Sequence, residues 1–150
     1  MPCLPTITRR AFVALGLSVA LAPQRARATT ELGFDELYGK VSVLGLEFSQ
    51  KVLELDGQKV RIVGFMAPPL KAEADFFVLG KQPMAICPFC SSDADWPDDI
   101  VVIYLRRKQT FEHTTGLVAV EGMLEHGSWT DPETGFVSLL RVRDADFQSA

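Results

Sequence analysis

Short apolar segments separated by turn residues dominate this chain, and they indicate β-strands rather than helices. Lys59 to Met66 alternates between apolar and polar residues, and a period of two is typical of a strand with one buried face. Ile100 to Leu105 is continuously apolar and rich in β-branched residues, as expected of a strand buried on both faces. Leu117 to Glu125 alternates again, and Gly122 within it predicts a bulge or bend.

The remaining pattern completes a small all-β domain. Further short strands are predicted at Phe76–Gly80, Met84–Cys87 and Phe136–Val142. Val41–Phe48 fits either a strand or a packed loop, and Val52–Leu55 fits either a strand or a helix. Because the strands follow one another at short spacing with no long helix between them, the fold class predicted is all-β, a small five- or six-stranded OB-like barrel.

The N-terminus has the features of a bacterial export signal. The Arg9-Arg10 pair precedes an apolar run, Ala11 to Ala22, of about a dozen residues, which is too short to span a membrane as a helix. Ala26-Arg27-Ala28 supplies the small residues that predict cleavage before Thr29. The arginine pair followed by Phe12 resembles the twin-arginine signal, whose pathway exports folded proteins, and an ordinary secretory signal is the alternative.

We therefore expect three parts: residues 1–28 as a cleaved signal peptide, 29–40 as a tail with a short helical turn, and 41–150 as the barrel domain. Cleavage removes four arginines, so the mature chain keeps 11 basic and 19 acidic residues and a net charge of −8. An acidic surface repels phosphate backbones, which disfavours nucleic-acid binding. The mature chain has no other apolar stretch long enough to span a membrane, so we expect a soluble periplasmic protein.

Cys87-Pro88-Phe89-Cys90 is the clearest chemical motif of the mature chain. Two thiols at this spacing can close a disulfide, exchange electrons with a partner or hold a soft metal. A thioredoxin-like site is disfavoured, because the polar, proline-broken segment Ser91–Asp99 stands where that fold needs a long helix. The carboxylates of Asp93, Asp95 and Asp98 would also raise the pKa of a nearby thiol. A disulfide is expected in an oxidising compartment unless a metal or a reductant keeps the thiols apart.

A metal site would need further ligands, and strand polarity distinguishes the two histidines. If the buried strand and the next strand run antiparallel, the second brings His126 back to the end where the thiols lie. His113 then stays a strand length away, so a closed site with both histidines is not favoured. A three-ligand site with an open position suits zinc or copper, and water or a carboxylate could complete it. The candidate metal ligands are Cys87, Cys90, His126, Asp93 and Asp95.

Aromatic and charged residues near this end allow a functional or a structural interpretation. Trp96 and Trp129 could form a binding rim, since aromatic side chains anchor many interfaces, or they could cap the open end of the barrel. Arg141 and Arg143 are expected on a solvated face. No Ser–His–Asp set, phosphate-binding loop or spaced carboxylate pair is evident in the sequence, so an enzyme is not favoured.

Three segments together resemble a group of small exported bacterial proteins that share an OB-like barrel and have no assigned function. These segments are Leu55–Pro68, Cys87–Leu105, and Val120–Glu125 with Gly135–Val142. The resemblance implies the barrel and no established reaction. Some members accompany ABC-type transport systems, which implies an accessory or metal-handling role beside a transporter or another periplasmic partner protein.

The sequence therefore predicts a non-catalytic periplasmic binding or accessory protein that uses the C-x-x-C rim, with zinc or copper as candidate ligands. One alternative is a thiol–disulfide exchange component, in which Cys87 attacks a partner and Cys90 resolves the mixed disulfide. The other is an interaction module in which a Cys87–Cys90 disulfide is only structural.

Overall fold

A computed structural model describes residues 28–42, 45–68, 75–84, 96–107 and 115–150 of the chain. Three predicted features lie outside these residues. They are most of the signal segment, the predicted strand Met84–Cys87 after its first residue, and His113. The described part contains eight strands, one short α-helix and a single 3-10 turn at Phe34–Glu36. The strands and the helix are β1 Thr30–Glu31, β2 Tyr38–Ser42, β3 Gly45–Phe48, α1 Gln50–Leu55, β4 Lys59–Met66, β5 Phe76–Gly80, β6 Ile100–Leu105, β7 Leu117–Thr130 and β8 Val137–Ser149.

Five of the strands form a ring, so the predicted all-β barrel-like fold is confirmed. The hydrogen-bonded order is β4-β5-β6-β8-β7, and β7 returns to β4 through antiparallel pairing from Lys59↔Met123 to Phe65↔Leu117. β5 meets β4 at only two residue pairs, beside Phe65 and Met66. The first residues of β4 are not paired with β5. The two-residue strand β1 pairs with them in parallel instead, at Thr30↔Val60 and Glu31↔Arg61.

The middle of the ring is the apolar core. Every residue of β5 is buried, and in β6 only Leu105 is partly exposed, which confirms the prediction that Ile100–Leu105 is covered on both faces. Because β6 pairs with β8 in parallel and β8 pairs with β7 antiparallel, β6 and β7 run in opposite directions with β8 between them. This is the relative direction that the argument about His126 requires.

β7 and β8 are longer than the pattern predicted, because bulges interrupt their alternation. The register between them shifts at Glu121/Met123, around the predicted bulge at Gly122. A Cβ atom at Gly122 would lie 2.6 Å from the carbonyl oxygen of Arg143, so the two strands approach each other too closely there for any larger residue. On β8 the extra residue is at Asp144, which adopts a positive φ of 49°.

The two ambiguous segments form a cover over one end of the ring. The described residues of the segment 41–48 belong to the separate two-stranded sheet of β2 and β3, and Val52–Leu55 is helical within α1. The predicted helical turn in the tail is the 3-10 turn at Phe34–Glu36. Among the described residues, no helix has the length and apolar character needed to cross a membrane.

Candidate functional site: the histidine end of the barrel

β7 carries His126 to the end of the barrel at which β6 begins. Glu125 pairs with Arg141 of β8, and Arg141 pairs with Val102 of β6. His126, paired with Leu140, therefore lies one residue closer to the start of β6 than Val102. The segment that contains the C-x-x-C motif leads into this same end of β6.

A chain of aromatic contacts connects the start of β6 with His126. The indole Nε1–H of Trp96 donates a hydrogen bond of 2.6 Å to the hydroxyl of Tyr38, and Trp96 itself is only 5% exposed. The Tyr38 ring stacks on Phe48 with 5.6 Å between centroids. The edge of the His126 imidazole meets Phe48 at 5.1 Å. Four side chains from four different elements or loops thus form one cluster, which we call the histidine cluster.

Local sequence explains how the cover presents these rings. Tyr38 and Phe48 are opposite each other in the β2–β3 pairing, so their side chains share one face of the hairpin. The hydroxyl of Ser49 accepts a hydrogen bond from the backbone N–H of Val52, which caps the N-terminus of α1 directly after Phe48. The hairpin and the helix are joined at this cap.

The end of α1 places a carboxylate beside His126. Gly57 follows the helix with φ 66°, a conformation that glycine adopts without strain, and its N–H donates to the carbonyl of Leu124 at 2.8 Å. Asp56 is thereby held next to β7, where its Oδ1 accepts a hydrogen bond of 3.2 Å from the backbone N–H of His126. The same oxygen lies 2.9 Å from the Nδ1 of His126, a close contact without the alignment of a hydrogen bond.

This arrangement leaves one face of the imidazole available for chemistry. The side chain of His126 is 28% exposed and that of Asp56 is 45% exposed. Histidines that bind metals usually direct their second ring nitrogen to a carboxylate, which fixes the ring orientation and the tautomer. With Nδ1 facing Asp56, Nε2 is the nitrogen that could bind a metal or an external group.

The proposed ligands are only partly brought together by the described structure. Cys87, Cys90, Asp93 and Asp95 lie outside the described residues, so only His126 of the predicted ligands has a position. Within the described ranges, no three histidine, cysteine or acidic side chains come together in a way that could hold a metal ion. His126 and Asp56 alone are a pair that would need ligands from elsewhere in the chain.

Trp129 belongs to a different cluster from Trp96. The Trp129 ring meets Tyr104 edge-on at 5.2 Å, and the guanidinium carbons of Arg141 and Arg143 lie 5.4 and 5.0 Å from its centroid. Tyr104 in turn contacts Phe76, with 5.2 Å between centroids. We call Tyr104, Trp129, Arg141 and Arg143 the arginine cluster.

Burial within the arginine cluster departs from the solvated face expected for its arginines. The side chain of Arg141 is 9% exposed, and it donates to Glu125 Oε2 at 2.9 Å and to the carbonyl of Gly127 at 2.8 Å. The Tyr104 hydroxyl is buried near Asp131 and makes no aligned hydrogen bond to a described residue. Its pKa is raised above the usual value, first because burial disfavours the phenolate and then because Asp131 is negative.

Two members of the histidine cluster, and the carboxylate of Asp56 beside it, were not identified from sequence. Asp56-Gly57 is a turn signal in the sequence, and Tyr38 and Phe48 belong to segments whose structure the pattern did not settle. Pairing of β4 with β7 is the signal that could have revealed Asp56, because it puts the turn before β4 opposite Leu124 and Glu125. Nothing in the local pattern predicts the contact of Tyr38 with Trp96, 58 residues away.

Comparison with known proteins shows the fold and does not establish a function. No family model matches the chain, and no curated protein is similar to it at a significant level. The chain is similar to the crystal structure, at 2.45 Å resolution, of a DUF3299 family protein (PA4066) from Pseudomonas aeruginosa PAO1. The two share 14% sequence identity at a TM-score of 0.55, and the match covers 82% of this chain and 97% of that one. At this identity the likeness is one of fold alone.

Proposed function

We propose that this protein is an exported, non-catalytic binding or accessory protein that captures a zinc or copper ion at the histidine end of its barrel. In this proposal Cys87, Cys90 and His126 are the protein ligands, with Asp93, Asp95 or water in the remaining position. The observation that carries the proposal is the contact between Asp56 and the Nδ1 of His126, at 2.9 Å. A carboxylate in this position is typical of the support that metal-binding imidazoles receive.

Chain length supports the proximity of the thiols to His126. Trp96 is fixed in the histidine cluster by its hydrogen bond to Tyr38. Cys90 precedes Trp96 by six residues, and six residues reach at most about 20 Å even when fully extended. This length allows Cys90 to reach the end of the barrel that carries His126, which supports the proposal. Two thiolates and one imidazole form a donor set that suits zinc or copper and keeps one coordination position open.

The wider role in the proposal is that of an accessory component in the periplasm. The twin-arginine-like segment supports export of a folded domain, and this route allows a metal to be inserted before translocation. The ring order, with parallel pairing of β6 and β8, supports the OB-like barrel that the resemblance implied. A partner among periplasmic or transport proteins is part of the proposal, since an open coordination position suits transfer of the ion.

Metal analysis of the native protein tests the proposal. The full chain would be expressed with its N-terminal segment, and the mature protein would be purified from the periplasm without chelators. We expect about one equivalent of zinc or copper, with both thiols reactive only after a chelator removes the metal. Two blocked thiols that react only after reduction, together with no metal, would contradict metal capture. A Cys90→Ala variant that traps a partner in a mixed disulfide would then favour the exchange alternative.

Two variants and one control locate the metal site. His126→Gln should reduce the affinity for the ion at least about tenfold, because it removes a ligand. Asp56→Asn should reduce it by about tenfold through the orientation of the imidazole alone. His113→Gln is the matched control, because it makes the same change at the only other histidine of the chain. Equal effects of the two histidine variants would place the site elsewhere.

A further inference from the structure

The arginine cluster holds one guanidinium against two aromatic rings and leaves it partly exposed. The guanidinium carbon of Arg143 lies 5.0 Å from the centroid of the Trp129 ring and 5.6 Å from that of Tyr104. Its side chain is nevertheless 40% exposed. Two aromatic faces restrict the rotamers of this arginine, so an incoming group would meet a donor that is already oriented.

The charge of Arg143 is incompletely neutralised by the fold. Glu125 Oε2 is 3.9 Å from Arg143 but 2.9 Å from the neighbouring Arg141, so this carboxylate is committed to Arg141. Among the described residues, Arg143 makes no hydrogen bond and has no closer acidic partner. By contrast, Arg61 pairs with Glu31 at 2.8 Å and Arg106 pairs with Asp146 at 3.1 Å.

A second polar group in the cluster lacks an aligned hydrogen bond. Tyr104 is 8% exposed, and its hydroxyl lies near Asp131 without the alignment of a hydrogen bond. The ring that carries this hydroxyl lies beneath the guanidinium of Arg143. The cluster thus has hydrogen-bonding capacity that the described fold does not use, which is unusual for buried polar atoms.

We propose that Arg143 and Trp129 form a docking surface for an acidic peptide segment of a partner protein. A carboxylate of the partner accepts two parallel hydrogen bonds from the Arg143 guanidinium, and an apolar residue beside it packs on the exposed part of Trp129. Tryptophan, tyrosine and arginine are the residues that most often dominate binding energy at interfaces. This surface is distinct from the histidine cluster, and the inference does not depend on metal binding.

Charge complementarity favours an acidic occupant. The mature chain predicted from the sequence has a net charge of −8, and Arg143 is a partly exposed cation on it whose nearest carboxylate among the described residues is 3.9 Å away. A basic partner would be repelled by Arg143 and attracted to the acidic surface elsewhere. An acidic segment of a partner is attracted only where a cation is exposed. Arg143 would therefore determine where the segment binds and how it is oriented.

Peptide titration of the mature protein tests the docking surface. The probe is an acetylated, amidated hexapeptide of alternating Asp and Leu, and its Asn-Leu counterpart is the control for charge. We expect the acidic peptide to bind at least about tenfold more tightly than the neutral one by isothermal titration calorimetry, with weakening as salt increases. Equal binding of the two peptides would overturn the proposal.

Variants place the contact on the cluster. Arg143→Gln should weaken binding of the acidic peptide at least about tenfold, and Arg143→Lys should give an intermediate loss because it keeps the charge but not the planar pair of donors. Arg106→Gln is the matched control, since Arg106 is also exposed but pairs with Asp146, and among the described residues its guanidinium does not lie over an aromatic ring. An Arg143→Gln variant that is folded by circular dichroism but binds like the parent would overturn the proposal. So would inorganic phosphate that displaces the peptide at equal concentration, because it would indicate a general anion site.

Discussion

The histidine cluster and the arginine cluster both combine aromatic rings with a carboxylate contact, but they use the rings differently. In the histidine cluster Trp96 donates a hydrogen bond to Tyr38, and the rings stabilise the cover of the barrel. In the arginine cluster the ring faces hold cations, and the Tyr104 hydroxyl makes no aligned hydrogen bond to a described residue. The difference indicates that the first cluster orients a single imidazole, whereas the second presents a charge.

The origin of the two clusters along the chain also differs. The arginine cluster lies mainly on the neighbouring strands β6, β7 and β8, so its contacts follow from register. The histidine cluster joins the β2–β3 hairpin, the segment before β6 and the far part of β7. Loss of one central ring should therefore disturb the histidine cluster more than the arginine cluster.

Replacement of the two tryptophans by alanine should give the largest difference between the clusters. Trp96→Ala should lower the free energy of unfolding by about 3–5 kcal/mol, because it removes a buried ring and its hydrogen bond to the Tyr38 hydroxyl. Trp129→Ala should cost clearly less, since its ring is only partly buried. Urea unfolding followed by circular dichroism measures both. Equal losses of unfolding free energy would contradict the distinction between a cluster that stabilises the fold and one that presents an exposed charge.

Replacement of the two arginines of the arginine cluster should have different effects on the free energy of unfolding. Arg141→Ala should cost about 2 kcal/mol, because it breaks bonds to Glu125 and to the Gly127 carbonyl at a buried position. Arg143→Ala should cost less than about 1 kcal/mol, since its ion pair is long and exposed. The same unfolding experiment compares them. A larger loss for Arg143 would mean that this residue stabilises the fold rather than presenting a charge.

Removal of the helix cap should affect the histidine cluster alone. Ser49→Ala should lower stability by about 1 kcal/mol, because the first turn of α1 loses the acceptor for the Val52 N–H. Since α1 leads into Asp56, NMR shifts of the His126 ring should change while those of Trp129 stay constant. Ser128→Ala, at an exposed position of β7, is the control and should change neither. Shifts confined to the arginine cluster would refute this connection.

The smallest expected effect concerns the pH dependence of the arginine cluster. The raised pKa of Tyr104 means that the folded state holds the hydroxyl proton more tightly than the unfolded state does. The contribution of Tyr104 to stability should therefore be constant below about pH 10 and decrease as pH rises above it, because the unfolded state loses the proton first. Tyr104→Phe should be nearly neutral at pH 7 and should remove this decrease. Urea titrations between pH 8 and 11 measure the effect, and an unchanged decrease in the variant would assign it to another group.

The parts of the fold that sequence predicted best are those with an uninterrupted period. β4 has the bounds that its alternation predicted, and β6 has those of its apolar run. β8 was predicted to end at Val142 but continues to Ser149. The reason is the bulge at Asp144, which shifts the alternation by one residue so that Ala145 is buried beyond it. A simple period of two cannot follow a strand through such a shift.

The candidate site was less predictable than the fold. Strand direction alone placed His126 at the start of β6, because an antiparallel course follows from sheet geometry. Arg141 was expected to be solvated, yet Trp129 and Glu125 cover it through contacts that no local pattern encodes. Side-chain environments of this kind depend on register across several strands, which a single sequence does not specify.

Competition with a chromophoric chelator for zinc is the decisive measurement for metal binding at His126. The reduced mature protein should bind zinc, His126→Gln should weaken the affinity at least about tenfold, and Arg143→Gln should leave it unchanged within about twofold. Unchanged zinc affinity in His126→Gln, or an equal loss in both variants, would contradict the assignment of the histidine cluster as the metal-binding end of the barrel.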